Sequence, residues 1–231
     1  MAVGPSQVRI LPPAPSDEMV KILEIRPNAP RADVITEAAS TIRAGGLVVY
    51  PTETVYGLGA DACSAKAIDK IFRLKGRGAG KPIPIAVNSL DMARRVAELT
   101  PAAEALFTEF LPGPLMVVAK ARPNVSKLLT AGTGKVGIRV PNHQVALKLI
   151  EFVGGPITAT SANLSGKPAP LTVKEALGQL GKNVDMALDA GKCELGIPST
   201  VVDATSKRPK VLRKGPISEE EIGKVLGKLK L

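Results

Sequence analysis

Apolar positions recur along most of the chain, and their period switches repeatedly between that of a helix and that of a strand. From Arg31 to Arg43 the residues Val34, Ile35, Ala38, Ala39 and Ile42 share one helical face, and Gly45-Gly46 closes the stretch before the apolar run Leu47 to Tyr50. This predicts a helix followed by a buried strand. Ser64 can cap a second helix that turns Ile68, Ile71 and Phe72 inward and stops near Gly76, ahead of an apolar run from Ile83 to Val87. Thr100-Pro101 opens a third helix with Leu106, Phe107 and Phe110 inward, and Pro112-Gly113 ends it before a strand from Leu115 to Ala119.

The beat then repeats. A strand is expected at Val136 to Val140, a helix at Val145 to Phe152 behind an Asn142 cap, and a strand at Ile157 to Thr160. Thr172 with Glu175 reads as a capping box for the next helix. Short strands follow near Met186 to Leu188, Thr200 to Asp203 and Val211 to Arg213, and Ser218 with Glu221 caps a C-terminal helix bearing Ile222, Val225, Leu226 and Leu229. Strands alternating with helices predict an α/β domain on a mostly buried, mixed sheet. Residues 1–18, with Gly4-Pro5, Pro12-Pro13 and Pro15, carry neither period and are expected to form a disordered leader or to reflect a misread start, with Met19 as the physiological one.

Composition narrows the class. A chain of 231 residues with 45% apolar content can bury one substantial core. No stretch approaches the ~18 consecutive apolar residues of a membrane helix, and no signal peptide is evident. Cys63 and Cys193 lie far apart without a partner at ligand spacing, which argues against a disulfide framework and a structural zinc, and favours a reducing, cytoplasmic setting. The formal charge of +10 implies attraction to anions, but it is spread from Lys21 to Lys230, so charge alone balances RNA contact against simple solubility. With 3% aromatic residues and no Trp, a plain RNA-binding module would have little stacking surface.

The sequence contains neither G-x-x-x-x-G-K-[ST] nor a G-x-G-x-x-G turn after a strand. Gly132-Thr133-Gly134-Lys135 precedes a strand instead of opening a helix, so a plain loop outweighs a phosphate cradle. Four polar loops stand where elements end, the region where open α/β sheets bind ligands. The first, Pro51 to Gly59, offers hydroxyls, a carboxylate and glycines, and reads equally well as a small-ligand site or a Gly-rich turn. In the second, Lys75-Gly76-Arg77 with Lys81-Pro82, the cations suit a polyphosphate, although cations that merely complement a helix C-terminus are slightly favoured. The third, Thr158 to Pro168, has Ser and Asn that can meet phosphate or an adenine edge but are also ordinary loop formers. The fourth joins Gly196 to Thr200 with Arg213 to Pro216, a hydroxyl and a cation at adjacent strand ends. His143, the single histidine, has no Ser or Cys nucleophile tied to it, so a surface or capping residue outweighs a general base and a Ser-His-Asp hydrolase is unsupported.

Taken in order, PTETVYGLG, K-x-R, PGPL, VGIRVP, SAN-x-SG, GIPSTVVD and LRKGPIS resemble the YrdC-like family of threonylcarbamoyl-adenylate synthases over about residues 27–218, leaving 219–231 as a C-terminal helix. The resemblance implies a single domain: an open twisted mixed sheet with flanking helices around a concave basic cavity. By the same resemblance Thr52, Arg139, Ala159 and Ser199 hold L-threonine, with Arg139 on its carboxylate. Lys75, Arg77, Lys81, Ser161, Asn163 and Arg213 surround ATP, and Lys75 and Arg77 are the catalytic pair. Arg77 and Arg139 are both expected to face solvent-filled space. The implied reaction joins L-threonine, bicarbonate and ATP into threonylcarbamoyl-AMP and pyrophosphate, with Mg2+ carried by ATP and no protein metal ligand. Further partners implied are double-stranded RNA or tRNA and a downstream threonylcarbamoyl transferase complex, without a membrane. Gly78, Ala86, Leu111, Met116 and Ala169 depart from the common pattern. The alternative within the family is a paralogue that binds nucleotide or double-stranded RNA without making the adenylate.

Overall fold

The computed structural model describes residues 20–78 and 80–228. Along the chain, β1 (Lys21–Glu24), α1 (Ala32–Arg43), β2 (Val48–Tyr50), β3 (Gly57–Gly59) and α2 (Ala65–Lys75) come first. They are followed by β4 (Ile85–Ala86), α3 (Leu90–Val96), β5 (Ala97–Glu98), α4 (Pro101–Phe110), β6 (Leu115–Ala121) and β7 (Lys135–Arg139). The remainder is α5 (Gln144–Val153), β8 (Ile157–Thr158), β9 (Thr160–Ser161), α6 (Val173–Leu180), β10 (Met186–Asp189), β11 (Thr200–Asp203), β12 (Lys210–Arg213) and α7 (Glu219–Gly227). The proposed leader and Leu229 lie outside the described residues.

Local chemistry accounts for most helix ends. The Ser64, Thr100 and Ser218 side chains accept from the third backbone N–H of α2, α4 and α7, and Ser218 with Glu221 completes a reciprocal capping box. Two expected caps differ. α5 begins after His143, which makes no side-chain cap bond, and Asn142 lies one residue outside it. Thr172 caps α6, but the Glu175 carboxylate reaches back to the Leu171 N–H instead of closing the box on Thr172. Four elements were not anticipated: β1, β3, α3 and β5. The first and last are a four-residue edge strand and a two-residue one, β3 is a Gly-Leu-Gly segment with the composition of a turn, and α3 is a seven-residue helix capped by Ser89.

The expected mixed sheet is divided in two. One sheet has the order β1-β10-β2-β3-β9, and the other has the order β12-β11-β6-β7-β4-β8 with β5 added on β6. Both mix parallel and antiparallel pairs, such as β10 parallel to β2 and β2 antiparallel to β3. A single extended segment belongs to both. β8 pairs with β4, β9 pairs with β3, and the switch occurs at Ala159, whose N–H donates to the Pro84 carbonyl at 2.7 Å. The fully buried Thr158 hydroxyl fastens the crossing by donating to the Leu58 carbonyl and accepting from the Ala60 N–H.

Side chains alternate across the second sheet with the period of two that strands impose. Leu115, Val117 and Ala119 of β6 and Val136 and Ile138 of β7 enter the core, and α4 packs on β6 and on α7. Met116 and Val118, with Lys135, Gly137 and Arg139, take the opposite face, which forms a wall of the cavity described below.

The glycines of β3 serve close packing rather than a turn. Gly57 pairs with Tyr50, and a Cβ on Gly57 would lie 2.7 Å from the buried Tyr50 ring. Gly57→Ala is therefore expected to destabilise the fold by about 1–3 kcal/mol, the usual cost of overpacking a rigid site. Chemical denaturation followed by circular dichroism measures it, and an unchanged midpoint would mean that the ring has room to move.

Candidate functional site

Loops from both sheets close around a cavity of about 410 Å3. This lies within the range of small-molecule sites, about 300–1,000 Å3. The turn after β2 contributes Thr54 and Val55, the segment after α2 contributes Arg77, Pro82 and Pro84, and the sheet crossing contributes Ala159, Thr160 and Ser161. Opposite them stand Pro198, Ser199 and Arg213, with β6 and β7 as the floor. Of the ten residues the sequence singled out, six line this space: Arg77, Arg139, Ala159, Ser161, Ser199 and Arg213. Lys75, Asn163, Thr52 and Lys81 are outside the lining, each for a different reason.

Lys75 is buried at the end of α2, its side chain threaded into the loop that follows β9. Its ammonium donates to the carbonyls of Ser161 and Asn163, both at 2.5 Å, and to Asn163 Oδ1 at 3.1 Å. An ammonium has three N–H bonds, and all three are used. The backbone adds to the junction, since the Ser165 N–H donates to the Lys75 carbonyl. Asn163 in turn accepts from the Ser161 hydroxyl and donates to the Lys167 carbonyl. Burial, and secondly the nearby Arg77, push the Lys75 ammonium down to about 7. Lys75 thus shapes the Ser161 to Asn163 turn from behind, and Asn163 belongs to the same internal network.

Thr52 is also buried, with its hydroxyl donating to the Val55 carbonyl and bonded to Thr54 Oγ1. It organises the turn whose Thr54 reaches the cavity. Lys81 is exposed, and the part of it that meets the site is its carbonyl, which accepts from Arg77 Nε at 3.0 Å. Arg77 Nη2 donates to the Pro82 carbonyl at 2.6 Å, so this guanidinium is held by backbone at the cavity edge and is only half-exposed. Burial draws its pKa below the ordinary arginine value.

Arg139 corrects a second expectation, because it does not stand free in solvent. It is 5% exposed and forms an ion pair with the equally buried Glu53, Nη2 donating to Oε1 at 2.6 Å, while Nη1 donates to Thr54 Oγ1 at 3.0 Å. Arg139 Nε, Glu53 Oε2 and Ser199 Oγ are buried and have no hydrogen-bond partner. Buried polar groups without partners are rare in folded proteins, and two of these three belong to residues of the cavity wall. Arg213 donates through Nε and Nη2 to the Ser199 carbonyl, and burial followed by the nearby Arg139 charge lowers its pKa. Gly215 permits this approach: a Cβ there would collide with the backbone of Ser199 and Thr200.

Several lining residues were not anticipated. Lys135 and Asp203 form an ion pair at 2.8 Å on the floor, beside Met116, Gly137 and Thr133. The signal for Lys135 was present, since it lies on the Arg139 face of β7 by the period of two. Thr133 and Lys135 together bring two residues of the Gly-Thr-Gly-Lys segment to the cavity, the Thr133 hydroxyl donating to the Thr130 carbonyl. His143 is half-buried at the N-cap position of α5, as a capping residue would be, but makes no side-chain cap bond; it does not line the cavity, its Nδ1 has no protein partner, and burial depresses its pKa to about 4. Among the described residues the lining therefore carries four cations, Arg77, Lys135, Arg139 and Arg213, against one carboxylate, Asp203. It offers donors to an anionic ligand and contains no cysteine or histidine.

Residues 40–215 match a protein family, Sua5/YciO/YrdC, described as "Telomere recombination". The chain belongs to this family. It is 42% identical over 195 residues to the threonylcarbamoyl-AMP synthase of Pyrococcus abyssi, a match that covers 84% of the chain and 57% of the relative. It is 41% identical over 198 residues to the putative threonylcarbamoyl-AMP synthase of Mycobacterium tuberculosis, covering 85% of the chain and 91% of that relative. The crystal structure of P. abyssi Sua5 complexed with L-threonine superposes with a TM-score of 0.86 at 40% identity, over 90% of this chain and 61% of that one. The chain thus spans little more than half the length of the Pyrococcus relative and nearly all of the mycobacterial one.

Two measurements test the buried cations. Arg139→Ala strands Glu53 in the interior and is expected to lower the unfolding free energy by about 3–5 kcal/mol, read from denaturant curves; a loss below 1 kcal/mol would place the pair in contact with water. For Lys75, the native pKa near 7 lies below the ordinary lysine value of 10.5, so between these pH values the unfolded chain binds the extra proton. The contribution of Lys75 to stability accordingly rises with pH across that window. Thermal melts of the wild type and Lys75→Met from pH 7 to 10 should diverge progressively, and parallel melting curves would show an unshifted ammonium.

Proposed function

We propose that this protein is an L-threonylcarbamoyladenylate synthase, which joins L-threonine, bicarbonate and ATP into threonylcarbamoyl-AMP and pyrophosphate. The observation that carries the reading is the meeting of Arg77, Arg139 and Arg213 with the Ser161, Ser199 and Thr54 hydroxyls in one cavity, in a chain of this family. The names of the relatives and the L-threonine complex of the Pyrococcus protein support it.

In this reading the threonine amine attacks bicarbonate carbon, with loss of water, to form a carbamate. A carbamate oxygen then attacks the α-phosphorus of ATP, and the bond to the β,γ-diphosphate breaks to release pyrophosphate. No enzyme nucleophile is required, and the lining has no Cys or His to serve as one. The contribution of the chain is positioning and charge neutralisation. Arg139, with two of its five N–H bonds on Glu53 and Thr54, retains donors for the threonine carboxylate, and the unbonded Ser199 hydroxyl lies in the same wall. Ala159 leaves space at the sheet crossing for the amino acid, while Thr52 acts through Thr54. Arg77, Arg213 and the Ser161 hydroxyl meet the ATP phosphates and nucleoside; Lys75 and Asn163 hold Ser161, and Lys81 holds Arg77. Mg2+ would come with ATP and be held mainly by its phosphates; among the described residues of the lining the one carboxylate is Asp203, which is paired with Lys135.

The product is a precursor for threonylcarbamoyl-adenosine in tRNA, so a threonylcarbamoyl transferase complex is the proposed recipient and tRNA or double-stranded RNA a further contact for the basic surface. The cytoplasm is the proposed compartment; among the described residues no helix is long and apolar enough to cross a membrane. Purified protein given ATP, bicarbonate and threonine should release pyrophosphate only when threonine is present, with threonylcarbamoyl-AMP detected by mass spectrometry. Arg77→Ala should lower that rate by on the order of 10²–10³, as loss of a charge-stabilising donor does. Pyrophosphate release that ignores threonine would overturn the reading, and ATP binding without product would overturn it in favour of a nucleotide-binding paralogue.

A further inference from the structure

Glu53 is a buried carboxylate that the proposed reaction leaves without a task. It is 4% exposed, lies outside the lining of the cavity, and pairs with Arg139 from behind the wall. Thr54 Oγ1 takes the other terminal nitrogen of the same guanidinium, and Thr54 is itself fixed by Thr52 Oγ1 at 2.9 Å. The Thr52 to Thr54 segment thus grips Arg139 through two nitrogens at once and leaves three of its N–H bonds, Nε among them, without a protein partner. An arginine gripped in this way has its direction set before a ligand arrives, which reduces the ordering cost of binding. Charge points the same way. Burial and, second, the nearby Arg139 charge lower the Arg213 pKa, and Glu53, as the ion-pair partner of Arg139, places a negative charge behind this pair of guanidiniums.

We propose that Glu53 is a positioning residue for the amino-acid substrate: by fixing the Arg139 guanidinium from behind, it sets the affinity for the threonine carboxylate without touching threonine. The assignment rests on the proposed function and specifies how the Pro-Thr-Glu-Thr turn serves it, with Glu53 and Thr52 acting through Arg139 and Thr54.

Calorimetric titration of L-threonine, and separately of α,β-methylene-ATP, into the wild type, Glu53→Gln, Arg139→Lys and the double variant provides the test. Glu53→Gln keeps the shape and removes the charge. It is expected to weaken threonine binding at least tenfold while leaving the nucleotide within twofold, and to add less than twofold once Arg139 is already Lys. Threonine affinity within twofold of wild type, equal weakening of both ligands, or effects that multiply in the double variant would each overturn the assignment. If Glu53→Gln does not fold by circular dichroism, Glu53→Asp, which withdraws the charge by one methylene, is measured in its place with the same expectations. A wild type that fails to bind threonine overturns the proposed function together with this assignment, whereas threonine binding that the substitution leaves intact overturns the assignment alone.

Discussion

Extended backbone from Ile157 to Ser161 pairs with β4 before Ala159 and with β3 after it, and the walls of the cavity are arranged around that change of partner. A strand can leave one sheet for another only if its polar backbone groups are satisfied on both sides of the break. Here the Pro84 carbonyl accepts the Ala159 N–H, the Thr158 hydroxyl bridges Leu58 and Ala60, and Tyr50 donates its hydroxyl to the Thr158 carbonyl. The consequence is spatial. The Thr52 to Thr54 turn of one sheet is brought against Arg139 of the other, although 86 positions separate Glu53 from its partner.

Gathering cations at such a junction opposes folding, since like charges in a partly desolvated space repel and each loses hydration. The lowered pKa values of Arg77, Lys75 and Arg213 record that cost. The core on the far side of the second sheet, with Leu115, Val117, Val136 and Ile138 fully buried, supplies the compensating apolar burial. A polyanionic ligand would relieve the repulsion on binding, which is the electrostatic condition that the proposed adenylyl transfer requires.

What the sequence disclosed follows from the range of the interactions. Helices announced by caps and a one-sided apolar period were legible, because Ser64, Thr100 and Ser218 act within three residues. β3 was not, because its glycines answer to the Tyr50 ring across the ladder and look like a turn when read alone. The change of sheet within one extended segment falls at Ala159, which no local pattern marks. The motifs named three of the cations that line the cavity, Arg77, Arg139 and Arg213, but not their orientation. Whether Lys75 faces a ligand or the inside of a loop is decided by carbonyls 86 and 88 positions away, and the caging of Arg139 by Glu53 is equally remote in sequence.

The division of labour among these cations follows from the number of donors each carries. Lys75, with three N–H bonds, is fully occupied by Ser161 and Asn163 and can build the turn but has no donor left for a ligand. A guanidinium has five in a planar fork, so backbone or a carboxylate can hold part of it while the rest stays available. Arg77 spends Nε and Nη2 on two carbonyls, Arg213 spends the same pair on one, and Arg139 spends one bond from each terminal nitrogen. Three of the four cations that line the cavity are arginines, and each is both fixed and unsatisfied. A lysine making the same two bonds would keep one N–H for a ligand where an arginine keeps three, and without the planar fork, which is the physical reason why Arg→Lys is not a conservative change at these positions.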